Sequence, residues 1–418
     1  MSQEPLISDE RSYAKSLIER IVDEYPKRLA TTPEEKGAQE LVAGELGELG
    51  FSGHYESFRF NRSLYANLML HGFVGVLGTV AILWSFWAAL ALHTLAFVSY
   101  FADNTRKFYL LRRLFPFRPS QNYLVTLPAT KPVRFRVVML AHIDAAFTGW
   151  LFHPNVVKNA TKPPPPGLGW TKFSIGMGFW SLLPLIILDG IALGAGWSSF
   201  GLYALFGVPT FLMAALNLQI VLKNEIVPGA NDNLTGVASL PLLLNRHHDW
   251  KPDDVELVYV VTGAEEASLG GAHALYKAHE GEWDRSNTFI FGLDTLSGGS
   301  LYYMKEGDIW PCPFPEWLTP LMEQTKATNE AFAQVQEFRI PVGGTDAIPF
   351  LYGGYDGVSL GCVDMEYGAP RHYHYPTDTP ENLDYDEFML SIDFADAFIR
   401  QLDKHYKPKA SWQATVED

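Results

Sequence analysis

Five short stretches carry residues able to hold a cation or move a proton. In Ala141-His142-Ile143-Asp144 the imidazole offers a ring nitrogen, and Asp144, on the same side of an extended chain, is placed to hold the other nitrogen. Pro228-Gly229-Ala230-Asn231-Asp232-Asn233 has the composition of a tight turn and sets Asp232 just before a helix start. Glu265 and Glu266 stand side by side directly after an apolar run. Two like charges at a buried strand end repel and lose solvation, a cost most readily offset by a metal cation, with one carboxylate as ligand and the other as general base. Asp294 follows the next apolar run in the same way, and His374 lies in Tyr373-His374-Tyr375-Pro376-Thr377-Asp378-Thr379. Each has a plainer role when taken alone: a core histidine, a helix N-cap, a solvated acidic loop.

Positioning such residues calls for strands that end where they stand. Val133–Ala141, Val255–Thr262, Thr288–Leu293 and Gly357–Leu360 read as strands, and Glu34–Leu49, Thr235–Leu244 and Ser268–Ala278 have helical periodicity, the pattern of an α/β domain. Two blocks interrupt it. Leu68–Phe101 has no charged residue and reads as a short-armed helical hairpin. Phe173–Leu222 carries Asp189 as its one charge and reads as two spans around the turn Gly194–Ser199, with the stiff Pro-rich run Lys162–Gly167 leading into it. A net charge of -15 over 418 residues argues against nucleic acid as a partner. Cys312 and Cys362 form neither a disulfide framework nor a thiolate metal site, and Met1–Lys27 has no apolar signal segment.

Taken in order, the motifs A-H-I-D, G-A-N-D-N-L-T-G, G-A-E-E, L-D-T and H-Y-P-T-D-T resemble metallopeptidase family 28, the aminopeptidases and glutamate carboxypeptidases, over Thr31–Lys404 with the apolar blocks as insertions. The resemblance implies the zinc-exopeptidase fold: a central mixed, mostly parallel sheet flanked by helices, here with inserted transmembrane hairpins. It implies two Zn2+ per chain, one held by His142 and Asp294, one by His374 and Glu266, with Asp232 bridging. It further implies Glu265 as general acid/base toward a metal-bridging water, Asp144 as the partner of His142, and Tyr373 polarising the scissile carbonyl. Where the family often has Ser-Asp-His, this chain has Gly344-Thr345-Asp346-Ala347, and Asp346 is assigned to a substrate-pocket wall.

The expected organisation is a discontinuous catalytic domain (1–67, 102–172, 223–418) with membrane insertions at 68–101 and 173–222. Domain sequence on both sides of each block requires an even number of crossings. Arg62, Arg106, Lys107, Arg112, Arg113, Arg118, Lys158, Lys162, Lys172 and Lys223 flank the blocks, and the inter-span turns have no Lys or Arg, which puts the catalytic domain on the cytoplasmic side. The reading is a membrane-anchored exopeptidase, an aminopeptidase rather than a carboxypeptidase. Its partners are a peptide or small amide and the lipid bilayer, and a homo-oligomer stays open. The rivals are a glutaminyl-cyclase-like transferase with one zinc, a hydrolase of a non-peptide or lipid-linked amide, and a non-catalytic membrane interaction protein.

Overall fold

The computed structural model describes residues 6–161, 175–307, 311–340 and 343–405; the Pro-rich run and Lys172 lie outside them. The chain opens with two helices, α1 (Glu10–Glu24) and α2 (Pro33–Glu48). The hydroxyl of Thr32 accepts from Glu35 N at 3.3 Å and Pro33 takes the first helical position, a strong start signal. Strand β1 (His54–Phe60) leads into the apolar helices α3 (Leu64–Ala81) and α4 (Phe86–Asn104). Strands β2 (Arg118–Leu127) and β3 (Phe135–His142) follow, then α5 (Pro154–Thr161), α6 (Ile175–Trp180), α7 (Leu182–Ala195) and α8 (Phe200–Lys223). The rest alternates: α9 (Gly236–His247), β4 (Val255–Thr262), α10 (Gly270–His279), β5 (Thr288–Leu293), β6 (Ser300–Lys305), α11 (Leu318–Lys326), β7 (Gln336–Arg339), α12 (Ile348–Tyr352), β8 (Asp356–Val363) and α13 (Tyr385–His405).

Among the described residues, eight strands form one mixed sheet in the order β1-β2-β4-β3-β5-β8-β6-β7. The central run β4-β3-β5-β8 is parallel, so its carboxyl ends open on one side, where the sites of open α/β sheets lie. These strands are mostly apolar because both faces are covered. Val137, Met139 and Ala141 of β3 join the layer containing α9 and α13, whereas Val138 and Leu140 face α10 and α12. Helix α13 buries Phe388, Ile392, Ala395, Ile399 and Leu402 at helical spacing. The four strands expected from their apolar runs are present. Strands β1, β2, β6 and β7 were not expected; β1 and β7 are edge strands with half-exposed, polar alternation that carries a weaker signal.

Buried His247 ties three of these elements together: its Nδ1 lies 2.8 Å from the Tyr259 hydroxyl and its Nε2 3.1 Å from Asp396 Oδ1. Burial, opposed by Asp396, lowers its pKa from the ordinary 6.5. A folded value below the unfolded one gives stability that is full above pH 6.5 and lost as pH falls through the folded value. His247→Gln should therefore flatten the acid limb of the stability curve below pH 6.5, by up to about 1.4 kcal/mol per pH unit. Denaturant titrations at pH 7, 6 and 5 check this, and an unchanged slope refutes it.

The apolar blocks form a four-helix layer in which α3 packs on α4 and α8, and α4 on α7. Among the described residues, four helical stretches, Leu64–Ala81, Phe86–Asn104, Gly178–Ala195 and Phe200–Lys223, are long and apolar enough to cross a membrane. Helix α3 starts before the apolar run proper, so Leu64 and Tyr65 belong to it as well. It meets α8 closely: a Cβ on Gly72 would come within 2.7 Å of the Ala214 nitrogen, the small-residue contact that lets helices pack in lipid. Large apolar residues such as Trp87, Ile187, Phe200 and Phe211 point outward. Polar groups turn inward instead. His93 Nδ1 lies 2.6 Å from Asp189 Oδ2, and Asp189 Oδ1 accepts from the Tyr203 hydroxyl at 2.8 Å.

Candidate metal centre

The parallel strand ends bring the expected residues into one buried cluster. His142 is the last residue of β3, Glu265 and Glu266 follow β4, Asp294 follows β5, Asp232 precedes α9, and His374 lies beyond β8. Asp232 stands between the histidines, its Oδ1 3.3 Å from His142 Nε2 and its Oδ2 3.2 Å from His374 Nε2. Asp294 Oδ2 lies 3.7 Å from His142 Nε2, and Glu266 Oε1 lies 3.4 Å from His374 Nε2. Two donor groups thus share Asp232: His142, Asp232 and Asp294 on one side, and Asp232, Glu266 and His374 on the other, each with its ligand atoms within 4.8 Å of one another. A third grouping of His142 with Glu265 and Glu266 meets the same limit, with Glu265 Oε2 3.8 Å from His142 Nε2.

The electrostatics are those of a site short of positive charge. Burial pushes Glu266 up to about 8 and Asp294 up to about 7, and raises Glu265 well above the carboxylate range. Burial acts on Asp232 in the same direction, but hydrogen bonds from both histidines overcome it and hold its carboxyl below the ordinary value. Glu266 Oε1 is buried without a hydrogen-bond partner among the described residues. Imidazole nitrogens, clustered carboxylates and an unsatisfied carboxylate oxygen fit zinc.

Asp144 serves the site differently from the expectation. The His142 Nδ1 bond goes to its main-chain carbonyl at 3.0 Å, and its carboxylate Oδ1 lies farther off at 3.6 Å. The carboxylate instead accepts from Glu265 N and Glu266 N, each at 3.0 Å. Side-chain alternation holds only within a strand, and β3 ends at His142. Tyr373 stacks on His374 with ring centroids 4.0 Å apart, and burial raises its pKa so far that the phenol keeps its proton. Asp346 is 2% exposed, accepts from the Thr262 hydroxyl at the end of β4, and is pushed up to about 6 by burial.

Several supports were not read from the sequence. Arg28, fully buried, donates to the carbonyls of Ile143, Pro228 and Gly229 at 2.8, 2.6 and 2.7 Å and so joins the His142 strand to the Asp232 turn. Asp378 accepts from Asn231 N at 2.7 Å and Asp232 N at 3.1 Å; it sits in the quoted His374 motif, which was its only signal. Asn233 Nδ2 donates to Leu293 O at 2.9 Å, and its Oδ1 accepts from Thr295 N at 3.1 Å, which fixes the Asp232 and Asp294 loops to each other. The Tyr65 hydroxyl lies 3.1 Å from His374 Nδ1. Arg112 donates from Nε to Asp103 Oδ2 at 2.8 Å and from one terminal nitrogen to Ala267 O at 2.8 Å, joining the end of α4 to the loop that carries Glu265 and Glu266.

Residues 217–398 match the sequence model of Peptidase family M28. Among solved structures, a zinc aminopeptidase from Bacillus subtilis is 14% identical, with 96% of this chain and 97% of that one covered and a TM-score of 0.54. A glutaminyl cyclase from an Acidobacteriales bacterium is 13% identical, with 97% and 100% covered and a TM-score of 0.54. A Zn-dependent exopeptidase from Parabacteroides distasonis is 11% identical, with 95% and 98% covered and a TM-score of 0.51. At such identities the likeness is one of fold. No curated protein sequence matches significantly. Four of the five motifs, all but A-H-I-D, lie within the matched residues, and the expected fold, a mixed α/β sheet flanked by helices, is the one these structures share.

Proposed function

We propose, for a chain with the metallopeptidase fold of family 28, that it is a membrane-anchored di-zinc exopeptidase that removes residues from the amino end of peptides. The observation that carries this reading is the pair of donor groups sharing Asp232. His142, Asp232 and Asp294 would hold one zinc ion and Asp232, Glu266 and His374 the other, and zinc there would polarise the scissile carbonyl and lower the pKa of an attacking water. Glu265 would take a proton from the attacking water and deliver it to the leaving amine. The protonated Tyr373 phenol donates toward the developing oxyanion. Asp144, through the amides of Glu265 and Glu266, fixes the turn on which base and ligand sit.

The aminopeptidase assignment rests on charge. Glu265 and Asp346 hold no zinc on this reading and are the carboxylates left to meet a free ammonium, while Arg28 is engaged by three carbonyls rather than offered to a terminal carboxylate. Membrane anchoring is supported by the four apolar helices, and cytoplasmic exposure of the domain by the basic flanks. The partners on this reading are a peptide or small amide and the bilayer. A glutaminyl-cyclase-like transferase is the second reading, favoured by an equal fold likeness; the second donor group around His374 counts against a one-zinc site. Metal analysis of the detergent-extracted chain, combined with a panel of free-amino, amino-blocked and N-terminal glutaminyl peptides, separates the two. Release of amino-terminal residues by a two-zinc protein is expected; cyclisation without release supports the transferase, and a two-zinc protein inert on every amide overturns both.

A further inference from the structure

The two histidines of the centre are oriented by different parts of the chain. His142 finds its Nδ1 partner two residues along its own segment, in the Asp144 carbonyl at 3.0 Å. His374 does not. Its backbone adopts φ 50°, a left-handed conformation unfavourable for a residue with a side chain, so the local chain alone is a poor support for its ring. Phe152 and Tyr373 pack the ring, with centroids 4.5 and 4.0 Å away, but neither contact selects which nitrogen carries the proton. The polar contact at Nδ1 comes from Tyr65, one residue into α3, at 3.1 Å. Tyr65 is 6% exposed and held edge-on by Phe147 and Phe152 at 6.1 and 6.0 Å, so its hydroxyl has a fixed direction.

We propose that Tyr65, on the first of the four apolar helices, is a positioning residue for the metal centre, accepting a hydrogen bond from His374 Nδ1–H and so turning the lone pair of Nε2 toward Asp232 and Glu266. The inference rests on the reading of His374 as a zinc ligand. A ring nitrogen that binds a metal is neutral, and the proton must then sit on the other nitrogen, where an acceptor fixes both tautomer and ring plane. The membrane insertion is therefore more than an anchor: its first turn orients one ligand of the catalytic domain, and displacement of α3 is felt at His374.

The test uses the full chain in detergent or bilayer discs. Tyr65→Phe keeps the ring and removes only the acceptor, and it should weaken zinc binding at one of the two sites by about 10–100-fold in competition with a chromophoric chelator. The visible absorption of the cobalt-loaded variant should change too, which loss of packing far from the ion does not produce. Tyr65→Gln, which restores an acceptor, should recover part of the loss. Equal zinc affinity and an equal cobalt spectrum for Tyr65→Phe and the unmodified chain overturn the proposal. If that variant does not fold, the unmodified cobalt-loaded chain decides: slow water exchange of the shifted Nδ1 proton of His374 supports the bond, and fast exchange overturns it. An unmodified chain that binds no zinc overturns the functional reading along with this one, whereas zinc bound equally with and without the Tyr65 hydroxyl overturns this one alone.

Discussion

Glu265→Gln should lower kcat by about 10^2- to 10^4-fold, the range expected when a general base is lost, with both zinc ions retained. The amide matches the carboxylate in shape but cannot accept a proton. The turn stays in place because Glu265 N and Glu266 N still donate to Asp144. Burial raises the Glu265 carboxyl well above its ordinary range, with Glu266 adding to the rise and His142 opposing it. Glu266→Gln should differ in kind, lowering zinc occupancy because Glu266 Oε1 faces His374 Nε2 at 3.4 Å. Steady-state kinetics and metal analysis on the same samples distinguish these effects. Loss of a zinc ion from Glu265→Gln would instead favour the grouping in which Glu265 joins His142 and Glu266 as a ligand. Retention of activity within about tenfold would remove Glu265 from the proton transfer altogether.

Stripping the metal should reverse the sign of the pH dependence of stability. Without a cation the cluster must take up protons, since burial lifts Glu266 to about 8 and Asp294 to about 7. Folded values above the unfolded ones mean that the apo chain has this stability in full at low pH and loses it as pH rises through 7 and then 8. Zinc competes with those same protons, so its binding tightens over the same interval. The difference between zinc-loaded and apo chains should therefore widen from pH 5 to pH 8. At free zinc a thousandfold above Kd, each site should add about 4 kcal/mol at 25 °C. Calorimetry in buffers of different ionisation enthalpy should register protons released on binding near neutral pH. A gap that does not change with pH, or no proton release, would mean that these carboxylates are not the ligands.

The correction at Asp144 and the surprise at Tyr65 have the same origin. Strand periodicity told which way residues of β3 point, and it ceased to apply where the strand ended at His142. Hydrogen-bond partners in the centre are distant in sequence: Tyr65 and His374 are 309 residues apart, and Arg28 reaches Pro228 across 200. No spacing rule links such pairs. They meet because parallel strands open at one end of the sheet and because α3 begins against that end. Asp346 shows the same limit, since nothing near it in the chain reveals that Thr262 and the carboxylate cluster surround it.

By itself the sequence determined the kinds of chemistry available, the central strands that carry them and the two apolar interruptions, because residue type, apolar runs and missing charge are local and act over a few turns of chain. Only the tertiary structure decided that main-chain amides hold Asp144, that Arg28 joins the His142 strand to the Asp232 turn, and that the first apolar helix supplies a hydroxyl to the centre. Those facts depend on the angle at which buried surfaces pack, and packing is a property of the whole core rather than of any one segment.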